Sequence, residues 1–174
     1  MPQIFPLEKM LPTLSLRQKE FFFFFTLLLG CFFLFPHLDY QAFLSTGDHG
    51  RELYGFKHVM EGGVPYRDFS WFQGPLTPYY YALFFKIFGP SIQTAVLGQT
   101  VLVLWTGLVI FSLAVSFLTP GIACLCAAGF WVFRGEGFFY TYSHDGALLA
   151  FLLALLFLFK YFDQPLFRHV RGGF

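Results

Sequence analysis

Four apolar runs, separated by polar stretches, dominate the pattern of this chain. A helix needs roughly 20 apolar residues to cross the hydrocarbon core of a bilayer, and most of the runs approach that length. The pattern predicts an all-α polytopic membrane protein with about four transmembrane helices, in which the first outer loop forms short surface helices. The predicted spans are residues 21–38, 91–117, 121–133 and 146–162.

The polar stretches complete the predicted organisation. Four spans place both termini on one side, and basic residues at the outer ends of the first and fourth spans favour the cytoplasm for that side. The third run is short, so it crosses only if it borrows residues from the following loop or lies in a thinned bilayer. The remaining segments are a cytoplasmic N-terminal tail (1–20), an outer loop with juxtamembrane helices (39–90), a second outer loop (134–145) and a cytoplasmic tail (163–174).

Two short helices are predicted in the first outer loop, lying on the membrane surface. Leu53, Phe56 and Met60 recur at helical spacing, and the Gly62-Gly63 pair supplies a stop. A second helix is predicted from Pro75 or Pro78, since proline suits a first turn, through three tyrosines to Gly89. The charged residues assigned to the other faces of the first helix are Arg51, Glu52, Lys57 and Glu61.

Composition supports the membrane interpretation. Hydrophobic residues make up 56% of the chain and charged residues only 12%, whereas roughly a quarter of the residues of an average soluble domain are charged. The formal charge of +1 gives no reason to propose a nucleic-acid partner. Cys31, Cys124 and Cys126 lie within apolar runs without a histidine or cysteine cluster, so they are predicted to be small buried apolar residues.

Two aspartates at the starts of predicted helices are candidates for chemistry. Asp48 precedes the first surface helix, where backbone N–H groups could orient its carboxylate as a general base. Asp145 opens the fourth span on the same side of the membrane under the four-span topology. Either residue could equally be an N-cap. If the two converged, they could hold a divalent metal, position a hydroxyl acceptor or raise one another's pKa. His49 and His144 are weak metal candidates, because they stand alone in distant loops.

Two arginines near the outer face have alternative interpretations. Arg134 could clamp a phosphate bidentately, or it could snorkel to the interface and pair with Glu136. The adjacent residues Arg67 and Asp68 could form a salt bridge within the loop, or they could contact a substrate. Both alternatives stay open at the level of the sequence.

Residues of the first outer loop form an ordered series: Asp48, Arg51-Glu52-Leu53-Tyr54, Gly62 to Phe69, Gly74 to Tyr79 and Ile87-Phe88-Gly89. The series resembles the N-terminal part of the GT-C superfamily of membrane glycosyltransferases, in the branch of protein O-mannosyltransferases and lipid A aminoarabinose transferases. The resemblance extends over roughly residues 21–162 and implies a polytopic helical enzyme. Such an enzyme transfers a sugar, with inversion, from a polyprenyl-phosphate donor to an acceptor hydroxyl outside the cytoplasm.

Site residues follow from the resemblance together with the patterns above. The resemblance implies that Asp48 is the catalytic base. It also implies an acceptor- or metal-positioning role for Asp145, which matches an acidic residue that family members often carry in the second outer loop. The predicted site further takes Asp68 for acceptor or metal positioning and Arg134 and Arg67 for phosphate binding. A divalent metal ion is the one cofactor left open.

Two departures from the family shape the functional prediction. Some relatives carry an acidic residue where this chain has Gln73, which argues against a metal at that position. Family enzymes have about a dozen spans, so the chain is expected to be the N-terminal portion of a longer enzyme. The alternative is a non-catalytic truncated remnant or an interaction subunit of a membrane assembly. A transporter ranks last, because the predicted spans are nearly free of charge.

The enzyme interpretation also sets the expected partners and location. The partners are a polyprenyl-phosphate sugar donor, the lipid bilayer and other membrane subunits, with no nucleic acid. The expected location is the plasma (inner) membrane, with the active-site loop outside the cytoplasm.

Overall fold

Six α-helices form the part of the chain that the computed structural model describes, residues 16–34, 48–135 and 142–162. These ranges hold no named strand, and one isolated bridge joins Pro65 to Phe69. The predicted all-α fold class is therefore confirmed for the described residues. In chain order the helices are α1 (Leu16–Leu34), α2 (Asp48–Met60), α3 (Leu76–Phe88), α4 (Ile92–Ala114), α5 (Pro120–Gly135) and α6 (Tyr142–Phe162).

The helix α4 stands at the centre of the packing. It contacts α1, α3, α5 and α6, while α2 packs against α3 and α1 packs against α5. A helix that is apolar on every face is expected to be buried, and α4 carries no charged residue in its 23 positions. Its start is fixed by Ser91, whose hydroxyl accepts a hydrogen bond from the backbone N–H of Thr94 at 3.1 Å.

Two helices are long and apolar enough to cross a membrane: residues Ile92–Ala114 of α4 and His144–Tyr161 of α6. The surroundings of the two helices differ. In α4, 61% of the apolar stretch is buried within the protein, whereas in α6 only 6% is buried. Two shorter apolar helices, Glu20–Leu34 and Pro120–Arg134, accompany them. The prediction that residues 35–38 continue the first span lies outside the described residues.

Helices α5 and α6 extend beyond the spans that hydropathy predicts. The prediction ended the third run at residue 133, whereas α5 continues to Gly135 and takes Arg134 into its last turn. The prediction began the fourth run at residue 146, whereas α6 begins one turn earlier at Tyr142 and holds Asp145 in its first turn. A basic group in a last turn and an acidic group in a first turn complement the helix dipole, so polar residues can belong to these helices.

Trp131 joins three helices at the centre of the bundle. Its side chain on α5 is only 1% exposed, and its indole Nε1 donates a hydrogen bond to the backbone carbonyl of Val103 on α4 at 3.0 Å. Glycines on the two facing helices make room for the ring. A Cβ at Gly30 of α1 would come within 2.7 Å of the indole, and a Cβ at Gly107 of α4 within 2.2 Å.

We expect Gly107→Ala to lower the free energy of unfolding by about 1–3 kcal/mol, since the rigid indole cannot yield without moving a helix. The matched control is Gly129→Ala on α5, where a new Cβ meets nothing within 4 Å. That control is expected to be neutral or stabilising by up to about 1 kcal/mol, because alanine favours helix. Thermal unfolding of the purified variants measures both effects. Equal midpoints for the two variants would contradict the close packing at Gly107.

The two helices predicted in the first loop are confirmed as α2 and α3, which pack face to face. The ring of Phe56 stacks on that of Tyr81, with 4.4 Å between centroids. Glu52 was predicted to lie on an outward face of α2. This prediction is wrong, because Glu52 is only 3% exposed. The reason is geometric, because Glu52 lies four residues before Phe56 and therefore on the same face of the helix. Leu53 is partly buried beside that face.

The three cysteines are free thiols with different surroundings. Cys124 is buried, as predicted, and its Sγ lies 3.0 Å from the hydroxyl oxygen of Thr26, which links α5 to α1. Cys31 is partly buried. The prediction of a buried residue is wrong for Cys126, which is exposed on the outer face of α5. Sequence hydropathy could not separate these cases, because an apolar helix surface can face either protein or lipid.

Candidate functional site

A buried ion pair joins the end of α5 to the start of α6. Arg134 binds Asp145 with two hydrogen bonds, from Nε to Oδ1 at 3.0 Å and from Nη2 to Oδ2 at 2.6 Å. The side chain of Arg134 is 21% exposed and that of Asp145 is 5% exposed. A carboxylate withdrawn from water is costly unless donors compensate it, and a bidentate guanidinium is the strongest such donor in proteins.

Gln99 and Tyr81 extend this ion pair into a chain of hydrogen bonds across four helices. The Nε2 atom of Gln99 on α4 donates to Oδ2 of Asp145. The Oε1 atom of the same amide accepts from the hydroxyl of Tyr81 on α3. Gln99 is 2% exposed and Tyr81 is fully buried. The polar cluster, defined as Tyr81, Gln99, Arg134 and Asp145, therefore draws on α3, α4, α5 and α6.

The polar cluster gives Arg134 and Asp145 partners that the sequence did not predict. The structure pairs Arg134 with Asp145, whereas Glu136 lies outside the described residues, so its predicted pairing with Arg134 stays a prediction. Asp145 was a candidate N-cap, yet its carboxylate bonds to side chains from α4 and α5. Gln99 is a residue that sequence reasoning missed. The available signal was an amide in the middle of a long helix without charged residues, since buried polar groups require partners.

The second pair of site candidates, Arg67 and Asp68, lies in the segment that connects α2 to α3. The two side chains form an exposed salt bridge. The guanidinium donates to both carboxylate oxygens at 2.8 Å, and the backbone N–H of Val64 donates to Oδ2 at 2.8 Å. The predicted salt bridge is therefore present, and a contact of either residue with a substrate stays a prediction. Within the described part of the chain, no hydrogen bond or ion pair joins these two residues to the polar cluster. The guanidinium of Arg67 and the N–H of Val64 lower the pKa of Asp68 to about 2, and Asp68 in turn raises the pKa of Arg67.

We expect the Asp68 carboxyl to titrate near pH 2 rather than at its ordinary value of 3.8. Because the folded-state pKa is depressed, the stability that this carboxylate contributes is present above about pH 4 and is lost as pH falls through about 2. A carboxyl ¹³C titration measures the midpoint. Arg67→Gln should return it toward 3.8, since the main donor is removed. A wild-type midpoint near 4 would contradict the bonded geometry.

Asp48 begins α2, and its side chain lies outside the described residues, so its convergence with Asp145 stays a prediction. One turn further, Glu52 accepts a hydrogen bond from Nε2 of Gln73 at 2.8 Å. His49 on the same helix is also buried. A buried acidic residue on a loop helix is a candidate for function, because such burial is rare without a specific role. Glu52 was not among the predicted site residues.

A divalent metal ion was the cofactor that the sequence left open. Across residues 16–34, 48–135 and 142–162, no group of three or more histidine, cysteine or acidic side chains is arranged to hold one. Asp145 was the candidate ligand, but its carboxylate is already neutralised by Arg134. A second cation would be repelled there by the guanidinium.

An apolar cavity of about 330 Å³ adjoins the polar cluster between α3, α4 and α6. Two tyrosines line this cavity, and both hydroxyls donate hydrogen bonds to protein groups. Tyr80 donates to the carbonyl of Gly98 at 2.8 Å, and Tyr81 donates to Gln99. Burial raises the pKa of Tyr80. The other walls are residues 74–77, Leu102, Gly146, Ala147 and Ala150. A cavity with such walls favours hydrocarbon over a sugar.

No protein-family model, curated protein or solved structure matches this chain.

Proposed function

We propose that this chain is the N-terminal portion of a GT-C-type membrane glycosyltransferase. It transfers a sugar from a polyprenyl-phosphate donor to an acceptor hydroxyl outside the cytoplasm. The observation that carries the proposal is the buried Arg134–Asp145 pair at the ends of two apolar helices, tied through Gln99 and Tyr81 to the loop helix α3. Ionisable residues within apolar helices are costly and mark functional sites in membrane proteins.

In this proposal α1, α4, α5 and α6 cross the membrane, and α2 and α3 lie at its outer face. The hydropathy of Ile92–Ala114 and His144–Tyr161 supports two of the spans. The 16 residues of α5 reach only about 24 Å at 1.5 Å per residue, so its crossing requires a locally thinned bilayer. The plasma (inner) membrane, with the first loop outside the cytoplasm, is part of the same proposal.

The proposed chemistry divides between a base and cations. Asp48 removes the proton of the acceptor hydroxyl, which is otherwise a weak nucleophile. Arg67 and Arg134 stabilise the polyprenyl phosphate that leaves as an anion. Asp145, held by Arg134, and Asp68 position the acceptor. The apolar cavity beside the polar cluster supports the proposal, because a lipid-linked donor requires hydrocarbon surfaces near its phosphate.

A transfer assay with the complete gene product in native membranes tests this function. A series of polyprenyl-phosphate sugars is added, and release of polyprenyl phosphate together with glycosylated acceptor is measured. Turnover of at least one donor is expected. Absence of turnover with all donors would contradict the enzymatic proposal.

A second candidate is an interaction subunit of a membrane assembly, and the exposure of α6 favours it. Only 6% of the apolar window of α6 is buried within the protein, so this helix offers a long face to lipid or to another chain. The native intact mass and the composition of the purified complex separate the candidates. A stoichiometric membrane partner without any transferase activity would favour the subunit, and a mass well above 20.0 kDa with activity would favour the enzyme.

A further inference from the structure

Four polar residues of α4 are buried: Thr94, Gln99, Thr100 and Thr106. The hydroxyl of Thr94 lies 2.9 Å from that of Ser91, the residue that caps the helix. Thr100 and Thr106 each donate to the carbonyl four residues earlier on their own helix, at 2.9 and 2.8 Å. Their hydroxyls are thereby satisfied within α4. Gln99 differs, because both ends of its amide bond to side chains of other helices. The side-chain hydrogen bonds of Gln99 therefore join α4 to α3 and α6.

The direction of each hydrogen bond in the polar cluster follows from chemistry. Asp145 is ionised opposite Arg134 and only accepts, so Gln99 must present its NH₂ group to the carboxylate. The amide oxygen of Gln99 is then left to accept, so Tyr81 must donate its hydroxyl proton. Each member constrains the next, and one arrangement satisfies all of them.

This arrangement holds the carboxylate of Asp145 in a single plane. The guanidinium of Arg134 contacts both carboxylate oxygens, and the amide of Gln99 contacts Oδ2 from a different helix. Donors from two helices oppose rotation of the carboxylate more than the ion pair alone does. Because Arg134 is fixed by the same carboxylate, the orientation of the guanidinium also depends on Gln99.

We propose that Gln99 is a positioning residue that fixes the Arg134–Asp145 pair in the orientation used on the substrate. Tyr81 supports it by fixing the amide. The inference rests on the proposed glycosyl transfer and assigns to Gln99 an action through the pair rather than contact with substrate. Groups that are held in a fixed geometry lower the free-energy cost of aligning the reactants during turnover.

The test compares Gln99→Leu, Gln99→Glu and the matched control Thr100→Val in the complete gene product. Gln99→Leu should lower kcat about 100-fold with little change in KM, because misplaced groups cost transition-state stabilisation. Thr100→Val removes a neighbouring buried hydroxyl that bonds only within α4, so it should keep the wild-type rate.

Gln99→Glu supplies a readout that loss of packing would not give. The variant keeps the acceptor for Tyr81 but turns an oxygen toward Asp145, and two carboxylates at that distance stay together only while they share a proton. The groups facing the new carboxyl are Asp145, Arg134 and Tyr81. Its kcat should therefore approach the wild-type value at low pH and fall as pH rises, in excess of any change in the wild type.

The outcomes separate this inference from the proposed function. Wild-type transfer with unchanged rate and pH profile in both Gln99 variants would overturn the positioning role and leave the enzyme proposal standing. Absence of wild-type transfer would contradict the enzyme proposal. In that case the unfolding midpoints test whether Gln99 holds the pair. Gln99→Glu should unfold at a lower temperature than Thr100→Val, because it places a second carboxylate against Asp145. Equal midpoints for these two variants would overturn the positioning role.

Discussion

Replacing Arg134 by methionine is expected to lower the free energy of unfolding by about 3–5 kcal/mol. The substitution keeps an apolar chain of similar length but leaves the carboxylate of Asp145, which is 5% exposed, without its guanidinium partner. A buried charge that loses its partner retains its full desolvation cost. Chemical unfolding of the purified protein in detergent measures the change.

Two further variants make this prediction specific to the ion pair. The double variant Arg134→Met with Asp145→Leu should recover most of the loss, because an apolar pair replaces a buried charged one. Arg67→Met, in the exposed pair with Asp68, should stay within about 1 kcal/mol of wild type. A single Arg134→Met variant as stable as Arg67→Met would show that the pair is not buried in solution.

The largest effect on activity is expected from Asp48→Asn in the complete gene product. Loss of a general base typically costs about 10²- to 10⁴-fold in rate, and transfer should fall by that amount while membrane insertion is unchanged. The reason is that the amide keeps the size of the side chain but cannot accept the proton of the acceptor hydroxyl. A transfer assay in membranes, with protease protection to check insertion, measures both properties.

Glu61→Gln is the matched control for Asp48→Asn, because it makes the same chemical change beside the other end of α2. Glu61 is exposed and lies 3.8 Å from Lys57, an ordinary surface pair. Its variant should transfer at the wild-type rate. Full activity in Asp48→Asn would remove the base assignment, and equal losses in both variants would point to damage of the loop helix rather than to lost chemistry.

The polar cluster joins two residues that the sequence predicted as separate parts of the site. Arg134 and Asp145 were separate candidates, one for phosphate and one for the acceptor or a metal. Their bidentate contact makes them one electrically neutral unit, so substitutions at the two positions should not be additive.

Much of the helical architecture could be predicted from local patterns. The glycine pair after Met60, which includes Gly62 at a positive φ of 100°, ends α2, and the prolines and Gly89 bound α3. Apolar composition located the runs that became α4 and α6. These features depend on neighbours within one or two turns, and such information is present in any short window of sequence.

The buried face of α2 could be predicted only in part. Periodicity identified Phe56, but it assigned Glu52 to solvent because the residue type is charged. Helix geometry places residues four apart on one face whatever their chemistry. Gln73, which donates to Glu52 from 21 residues away, supplies the compensation that no local pattern shows.

By itself, the sequence determined the all-α class, the apolar runs and the loop that separates the first two. Hydropathy and turn residues act over short distances, and the chain follows them wherever packing does not oppose them. Only the tertiary structure decided that Arg134 binds Asp145, that Gln99 reaches a carboxylate 46 residues away, and that Gly107 makes room for Trp131. These contacts depend on how α4, α5 and α6 pack against one another, and helix packing is set by the sum of many side-chain contacts rather than by any single motif.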